Sequence, residues 1–453
     1  MEYPTTQVFR CRQTVGRKIF LLGLILLCNS LALQNSFVIS VSGFLAKIGP
    51  KEFLVVSLAS YSFMLIVMSL QSLVIDRFSR MALIKGTAYS FAFAFVIIRL
   101  IFLTQLPNWF KYSLFCLTTE IQWLIFPLVF WIFANSIFTP SDSERIFPRI
   151  GAWGIAGNLL GIGVSTFSPA ILKGLHLSSD ELITVNVIVY AVILLCLESK
   201  SLKLRQLSSS KNGEKREKFR QKVHDKRDTS IVEILKETVS SGWILVQTVP
   251  ALRYLMYSIL MLSFCDAIIE FHFLSTSVAT YPGVEKYQFV YGLYRLTLTI
   301  LGFAIQAFVS TKVIQRLGLK NTFLITPLAV LVSLIGMIVI PGIGSGLGGI
   351  LVFRLCWDTI GESSRKSFHG FVPDHHRGRV SLFLDGNLFC LGNIVGFVIT
   401  GLVILLDSSI LASGFYIYLG LATIASVIAL WAIMRMRAAY DYTILNWQLQ
   451  SLG

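Results

Sequence analysis

Residues 53–103 read FLVVSLASYSFMLIVMSLQSLV, then IDRFSRMALIK, then GTAYSFAFAFVIIRLIFL. Two apolar blocks, Phe53 to Val74 and Gly86 to Leu103, flank a short turn holding Asp76, Arg77, Arg80 and Lys85. At about 1.5 Å of rise per helical residue, each block is long enough to cross a hydrocarbon core of roughly 30 Å. The rest of the chain repeats this alternation. Its 453 residues are 55% hydrophobic and 14% charged, with a mean hydropathy of +0.71. Soluble domains carry about 25% charged residues, which excludes an ordinary cytosolic enzyme.

Outward from this pair, the hydropathy predicts spans at Ile19 to Val41, Phe53 to Val74, Gly86 to Leu103, Tyr112 to Phe138, Ile150 to Ile171 and Leu182 to Leu197. Six more are predicted at Ala251 to Leu274, Tyr287 to Ser310, Thr322 to Ile340, Leu347 to Gly361, Val380 to Leu405 and Ile410 to Met434. Short cytoplasmic loops hold an excess of Lys and Arg. With the N-terminus cytoplasmic, thirty cations fall on that side and five (Lys47, Lys51, Lys111, Lys173, Lys286) on the other. That asymmetry supports twelve spans with both termini cytoplasmic. It also accounts for the net charge of +15 without nucleic acid. The basic leader and first apolar run read as a retained helix, since eleven more spans come after it. Seven cysteines, mostly within or beside spans, give no disulfide framework, and no C-x-x-C spacing suggests a metal.

The predicted fold is an all-α integral membrane protein whose twelve transmembrane helices form two six-helix halves. Residues 1–197 make the first half, 198–249 a basic cytoplasmic linker whose stretch from Ile231 to Val249 reads as an amphipathic helix, and 250–453 the second half. Such repeats commonly surround a site at the membrane midplane. The tripeptide Gly-Asn-Leu occurs at Gly157 to Leu159 and again at Gly386 to Leu388, an echo between spans five and eleven. The glycines of these spans, from Gly151 to Gly163 and from Gly386 to Gly401, predict close helix packing and a surface on which a helix can slide.

An ionisable group at bilayer depth costs at least ~2.5 kcal/mol on insertion scales, so it faces a cavity or a partner. Arg99, Glu120, Asp266, Glu270, Arg295, Arg354, Asp358 and Asp385 are such groups. Asp266 and Glu270 share one face of a helix and repel, so they need a cation, a proton or a bound group between them. Arg295 in span eight is an available intramembrane cation, and a salt bridge from it to Glu270 is one expectation. Arg354 and Asp358, four residues apart, are expected to form an intrahelical pair. His272 reads as a polar core residue. Asn29, Ser30, Gln34, Asn35 and Ser36 read either as the wall of an aqueous cavity or as interhelical hydrogen-bonding groups. The loop residues His369, Asp374, His375 and His376 form a weak metal-like cluster, for which a solvated loop is the plainer reading. No catalytic constellation, cofactor or metal site is expected.

Ser72-x-x-x-Asp76-Arg77-x-Ser79-Arg80 resembles the loop signature of the major facilitator superfamily, G-x-x-x-D-R-x-G-R, with serine at both glycine positions. The resemblance implies a major facilitator-like fold in which Asp76, Arg77 and Arg80 latch one conformation. A closer resemblance covers about two thirds of the chain. Glu120-Ile-Gln-Trp123, Phe130-Trp131-Ile-Phe-Ala134-Asn135, Glu144-Arg145-x-Phe147, Ile268-Ile269-Glu270 with Tyr281-Pro282, Arg316-Leu317-Gly318 and Ile325-Thr326-Pro327-Leu328 are similar, in order, to segments of the ATP/ADP translocases of plastids and obligate intracellular bacteria.

The resemblance assigns Glu120 and Glu270 to intramembrane glutamates of that family and Lys366 to its late lysine, with the spacing to Pro373 off by one. Two features depart from it. Leu33-Gln34-Asn35-Ser36 stands where the family has a charged stretch with a lysine, and Phe271-His272 stands where it has an aromatic-lysine pair. The expected function is therefore secondary transport by alternating access of an anionic metabolite, with nucleotide exchange of the ATP/ADP type implied by the resemblance. Glu120, Asp266, Glu270, Arg295, Arg354, Asp358, Arg99, Asn35 and Lys366 are the expected pathway residues. Proton-coupled transport of another small solute, and a non-transporting sensor or scaffold of the same fold, stay open. The expected setting is a monomer in the lipid bilayer of a bacterial inner membrane, with a small-molecule substrate.

Overall fold

The computed structural model describes residues 5–77, 79–138, 140–174, 178–199, 243, 246–247, 249–369, 380–406 and 414–452, the side chains of 5–15, 69–77, 140–144, 173, 369, 382 and 441–452 excepted. Its first six long helices are α1 (Thr5–Lys47), α2 (Pro50–Arg77), α3 (Arg80–Leu103), α4 (Asn108–Ile137), α5 (Pro140–Gly174) and α6 (Ile183–Glu198). After these come α7 (Pro250–Thr280), α8 (Val284–Phe308), α9 (Ile325–Val339) and α10 (Ile343–Leu355). The line of α10 continues through a π-helical turn (Cys356–Gly361) into Glu362–His369. A second π-helical turn (Leu382–Asn387) opens α11 (Leu388–Leu406), and α12 (Gly414–Leu452) ends the described chain. Twelve described helices are long and apolar enough to cross a membrane. The predicted linker helix at 231–249 lies almost wholly outside the described residues.

The helices gather into two compact units, one of Met1–Gly43 with Leu73–Glu233 and one of Phe44–Ser72 with Ile234–Gly453. Most of α2 thus packs with the second unit, although its sequence belongs to the first half. Tyr61 of α2 shows why, because its ring lies 6.0 Å from that of Phe389 and 5.6 Å from that of Phe397, both on α11.

In the first unit, α1 is the most enclosed helix, with 78% of its most apolar window buried. Phe91 and Phe95 of α3, Phe115, Phe126 and Phe130 of α4 and Tyr190 of α6 form the apolar core around it. Amides thread through this core. Gln122 Nε2 donates to Asn29 Oδ1 at 3.1 Å and to Tyr190 OH at 3.0 Å, while Tyr190 OH donates to Asn29 Oδ1 at 2.9 Å. Asn35 Nδ2 donates to Asn186 Oδ1 at 2.9 Å and to Leu182 O at 3.0 Å, and Asn186 Nδ2 donates to Ser36 Oγ at 2.7 Å. The polar stretch of span one is therefore an interhelical hydrogen-bonding face that fixes α1 to α4 and α6. Such bonds contribute about 0.6–2 kcal/mol each within a membrane.

The second unit is built around α7, 72% of whose most apolar window is buried. Helices buried on every side need apolar residues all round, and α7 runs Leu252, Leu255, Met256, Ile259, Leu262, Cys265, Ile268, Phe271 and Leu274 through the core. Glycines set its distance from α11. A Cβ built on Gly392 would meet Leu260 O at 2.6 Å, and one on Gly396 would meet Phe264 O at 2.8 Å. The first unit repeats this seam between α5 and α1, where a Cβ on Gly157 would meet Leu27 O at 2.3 Å and one on Gly161 would meet Leu31 O at 2.4 Å.

Both seams read Gly-Asn-x-x-Gly, as Gly157-Asn158-Leu-Leu-Gly161 and Gly392-Asn393-Ile-Val-Gly396. Packing therefore moves the second member of the internal echo from Gly386 to Gly392, since Gly386 lies in the π-helical turn. Large side chains such as Leu160, Phe167, Val332, Leu402 and Leu405 are exposed instead.

Overpacking a tight site costs about 1–3 kcal/mol. Gly161→Val and Gly396→Val are each expected to lower the thermal midpoint of the purified protein by several degrees. Gly163→Ala and Gly401→Ala, where an added Cβ meets nothing within 4 Å, are expected to leave it unchanged; a scanning fluorescence melt in detergent checks both pairs.

Candidate functional site

Asp266 and Glu270 sit one helical turn apart on α7, and the cation their repulsion demands is Arg354 of α10. Arg354 Nη2 lies 3.1 Å from Asp266 Oδ1 and donates to Glu270 Oε2 at 3.1 Å. Asp266 is fully buried, whereas the side chains of Arg354 and Glu270 keep 18% and 26% of their surface. The triad thus has a sealed carboxylate, an accessible one and a guanidinium between them. Asn393 of the α7–α11 seam adjoins Asp266 and donates to Phe389 O at 3.0 Å. Aromatic residues of α8 pack on α7: Tyr294 lies within electrostatic reach of Arg354 and Glu270 and 4.7 Å from Phe273, and Tyr287 OH is 3.1 Å from Ser277 Oγ.

Glu270 therefore takes its ion pair from Arg354 and not from Arg295. Arg295 is half-buried on α8 and acts electrostatically on Asp358. The expected intrahelical pair of Arg354 with Asp358 does not form among the described residues. Asp358 lies in the π-helical turn Cys356–Gly361, where the i→i+5 bonding widens the helix and rotates the residues beyond it. The rotation leaves Asp358 exposed. His272 fits its reading as a polar core residue: it is buried, with Nδ1 3.0 Å from Tyr418 OH.

Beyond the triad, the two π-helical turns are tied together. Arg365 stacks 4.1 Å over the ring of Trp357, and its Nε donates to Asp385 Oδ1 at 3.0 Å. Ser381 Oγ donates to the other carboxylate oxygen of Asp385 at 3.3 Å. Trp357 in turn stacks between Phe353 and Phe389, each with its centroid 6.0 Å away. Sequence reading found Asp385 and missed Arg365 and Trp357. Nothing in their spacing shows that a π turn brings them face to face. Lys366 pairs with Glu362 one turn before it on a well-exposed surface.

In the first unit, Arg99 forms an ion pair with Glu181 in the 3-10 turn before α6 (Ser179–Leu182), beside a hydrogen bond from Tyr112 OH to Asp180 Oδ1 at 2.6 Å. Its charge thus fastens the end of α3 to the α5–α6 connection. Glu120 is half-buried on α4, one turn from buried Cys116. Asn35 is fully buried and committed to α6. Arg80 is exposed at the start of α3; the side chains of Asp76 and Arg77 lie outside the described residues. So do the side chain of His369 and the loop with Asp374, His375 and His376. No group of three or more His, Cys, Asp or Glu able to hold a metal occurs among the described residues.

Twelve described helices long and apolar enough to cross a membrane, with a charged triad held inside the second unit, mark a multi-pass membrane protein. The sequence profile of the TLC ATP/ADP transporter family matches residues 52–343. That is more than half of the chain, and the chain belongs to this family. No curated protein sequence matches it significantly. Among solved structures it is similar to the nucleoside transporter NupG (TM-score 0.60, 14% identity, 94% of this chain and 99% of that one). It is also similar to the inward open xylose transporter XylE from E. coli (TM-score 0.57, 14% identity, 90% of this chain and 95% of that one). A POT family transporter in complex with a thioalcohol-conjugated peptide is a further match (TM-score 0.54, 14% identity, 91% of this chain and 95% of that one). These likenesses show the fold, the major facilitator-like arrangement that the loop signature implied.

Removing one member of a buried ion pair costs about 3–5 kcal/mol, because the partner charge is left uncompensated. Arg354→Ala is therefore expected to destabilise the protein strongly, and addition of Asp266→Asn to recover much of the loss. Thermal melts of the two variants against wild type measure this coupling.

Proposed function

We propose that the protein exchanges anionic metabolites by alternating access, and that nucleotides of the ATP/ADP type are its substrates. The observation that carries this is Arg354, a partly accessible guanidinium at bilayer depth on the second half of the transporter. Arginine is the side chain suited to phosphate, since its planar fork of donors matches phosphate oxygens and stays charged in every environment. Family membership supports the choice of nucleotide.

In this reading the protein works as a monomer in the inner membrane of a bacterium, both termini lie in the cytoplasm, and the basic linker meets anionic lipid heads. It performs no covalent chemistry. A specific observation favours a second reading, proton-coupled transport of another solute. The first span has amides where the family has a lysine, and Asn35 is occupied by α6, so the first unit offers few cations to a polyanion.

Counterflow into liposomes holding the purified protein separates these readings. Vesicles loaded with ATP are expected to take up labelled ADP without a pH gradient, and Arg354→Gln to reduce that uptake by at least about tenfold, the loss of one charge-assisted phosphate contact. Uptake of a non-nucleotide solute that requires a pH gradient would establish the second reading. Failure of every solute on a broad panel would leave a non-transporting protein of this fold.

A further inference from the structure

Arg354 contacts both of its carboxylates through a single nitrogen. Asp266 Oδ1 and Glu270 Oε2 each lie 3.1 Å from Nη2, and among the described residues Nη1 and Nε hold no hydrogen bond. A guanidinium offers two edges on which a phosphate or carboxylate can make paired hydrogen bonds, Nε with Nη2 and Nη1 with Nη2. Both edges include Nη2. An anion that binds Arg354 by two points must therefore take the nitrogen that the carboxylates already occupy.

The two carboxylates differ in whether they can leave. Asp266 is sealed, with no accessible surface and Asn393 beside it, and moving it off the guanidinium would leave a buried charge unpaired. Glu270 keeps 26% of its surface and has one methylene more, so its carboxylate can rotate off Nη2 without carrying its backbone. We propose that Glu270 and the anionic group of the substrate compete for Nη2 of Arg354, while Asp266 is the positioning residue that holds the guanidinium still during the exchange. The proposal rests on the anion-transport reading and adds a mechanism to it. Substrate binding and release of Glu270 become one event, so the carboxylate freed beside Asp266 reports that the site is filled.

Removing Glu270 therefore strengthens binding, the reverse of the usual effect of deleting a residue from a binding site. Isothermal calorimetry of ADP, tripolyphosphate, sulfate and a dicarboxylate on the purified full-length protein tests it. Glu270→Gln is expected to bind the effective anion about tenfold more tightly than wild type, the scale of one charge-assisted hydrogen bond no longer competed for. Glu270→Asp, whose shorter arm keeps the charge and reaches Nη2 poorly, should change in the same direction and serves if the glutamine variant fails to fold. Asp266→Asn should weaken binding, and Arg354→Lys in the Glu270→Gln background should abolish the gain, since an ammonium has no fork.

Unchanged or weaker binding in both Glu270 variants overturns the competition, as does the absence of tightening for every anion. If sulfate or the dicarboxylate tightens while ADP and tripolyphosphate do not bind, the competition stands and the nucleotide reading falls. If wild type binds and exchanges ADP yet neither variant tightens, the nucleotide reading stands and the competition falls.

Discussion

The second unit is organised by an electrostatic debt. Two carboxylates one turn apart on a helix surrounded by protein cannot both be ionised without a cation beside them, and α7 places Asp266 and Glu270 in that relation. α10 must therefore bring Arg354 to the centre of α7. Tyr294 of α8 lies within electrostatic reach of the triad, and Asn393 of α11 adjoins it. Arrangements that separated α10 from α7 would strand a charge in a medium where that costs several kcal/mol. The same requirement makes the triad sensitive to a competing anion, so fold stability and ligand response rest on one guanidinium.

The first unit solves the same architectural problem with neutral groups. Its central helix α1 is held by amides and a phenol, with Asn29 and Gln122 meeting Tyr190 and Asn35 meeting Asn186. Hydrogen bonds of this kind are short in range and need no counter-charge, so they fix geometry without creating a field. The two units thus share a glycine seam beside the central helix and differ in the polar groups that hold that helix. Charge inside the second unit is paired by Arg354, while in the first unit Arg99 is engaged with Glu181 at the end of α3.

Most of the architecture was legible because its signals are strong and local. Apolar blocks of the length of a bilayer and a one-sided distribution of Lys and Arg pointed to twelve spans, and among the described residues twelve helices qualify. The site was legible only in part. The spacing of Asp266 and Glu270 stated that a cation was needed, but the sequence could offer only Arg295 of the next span as a candidate, and packing selected Arg354. An i,i+4 spacing between Arg354 and Asp358 lost its meaning because a π turn lies between the two residues, and a π turn has no residue signature comparable to proline or glycine. Asn35 could face water or another helix with equal chemical sense, and only the position of Asn186 decides. The internal echo was real, yet tripeptide identity placed it at Gly386, where close approach of backbones places it at Gly392.

The glycine seams have a mechanical consequence. Where Gly157 and Gly161 meet the carbonyls of Leu27 and Leu31, and Gly392 and Gly396 those of Leu260 and Phe264 beside the small side chains of Ser263 and Ala267, no long side chain stands between the two helices to act as a compliant layer. Each pair meets at close to backbone distance over a full helical turn, so that neither helix bends without the other. α1 with α5, and α7 with α11, are thus stiff girders within their own units, and deformation is left to the helices whose contacts run through flexible side chains.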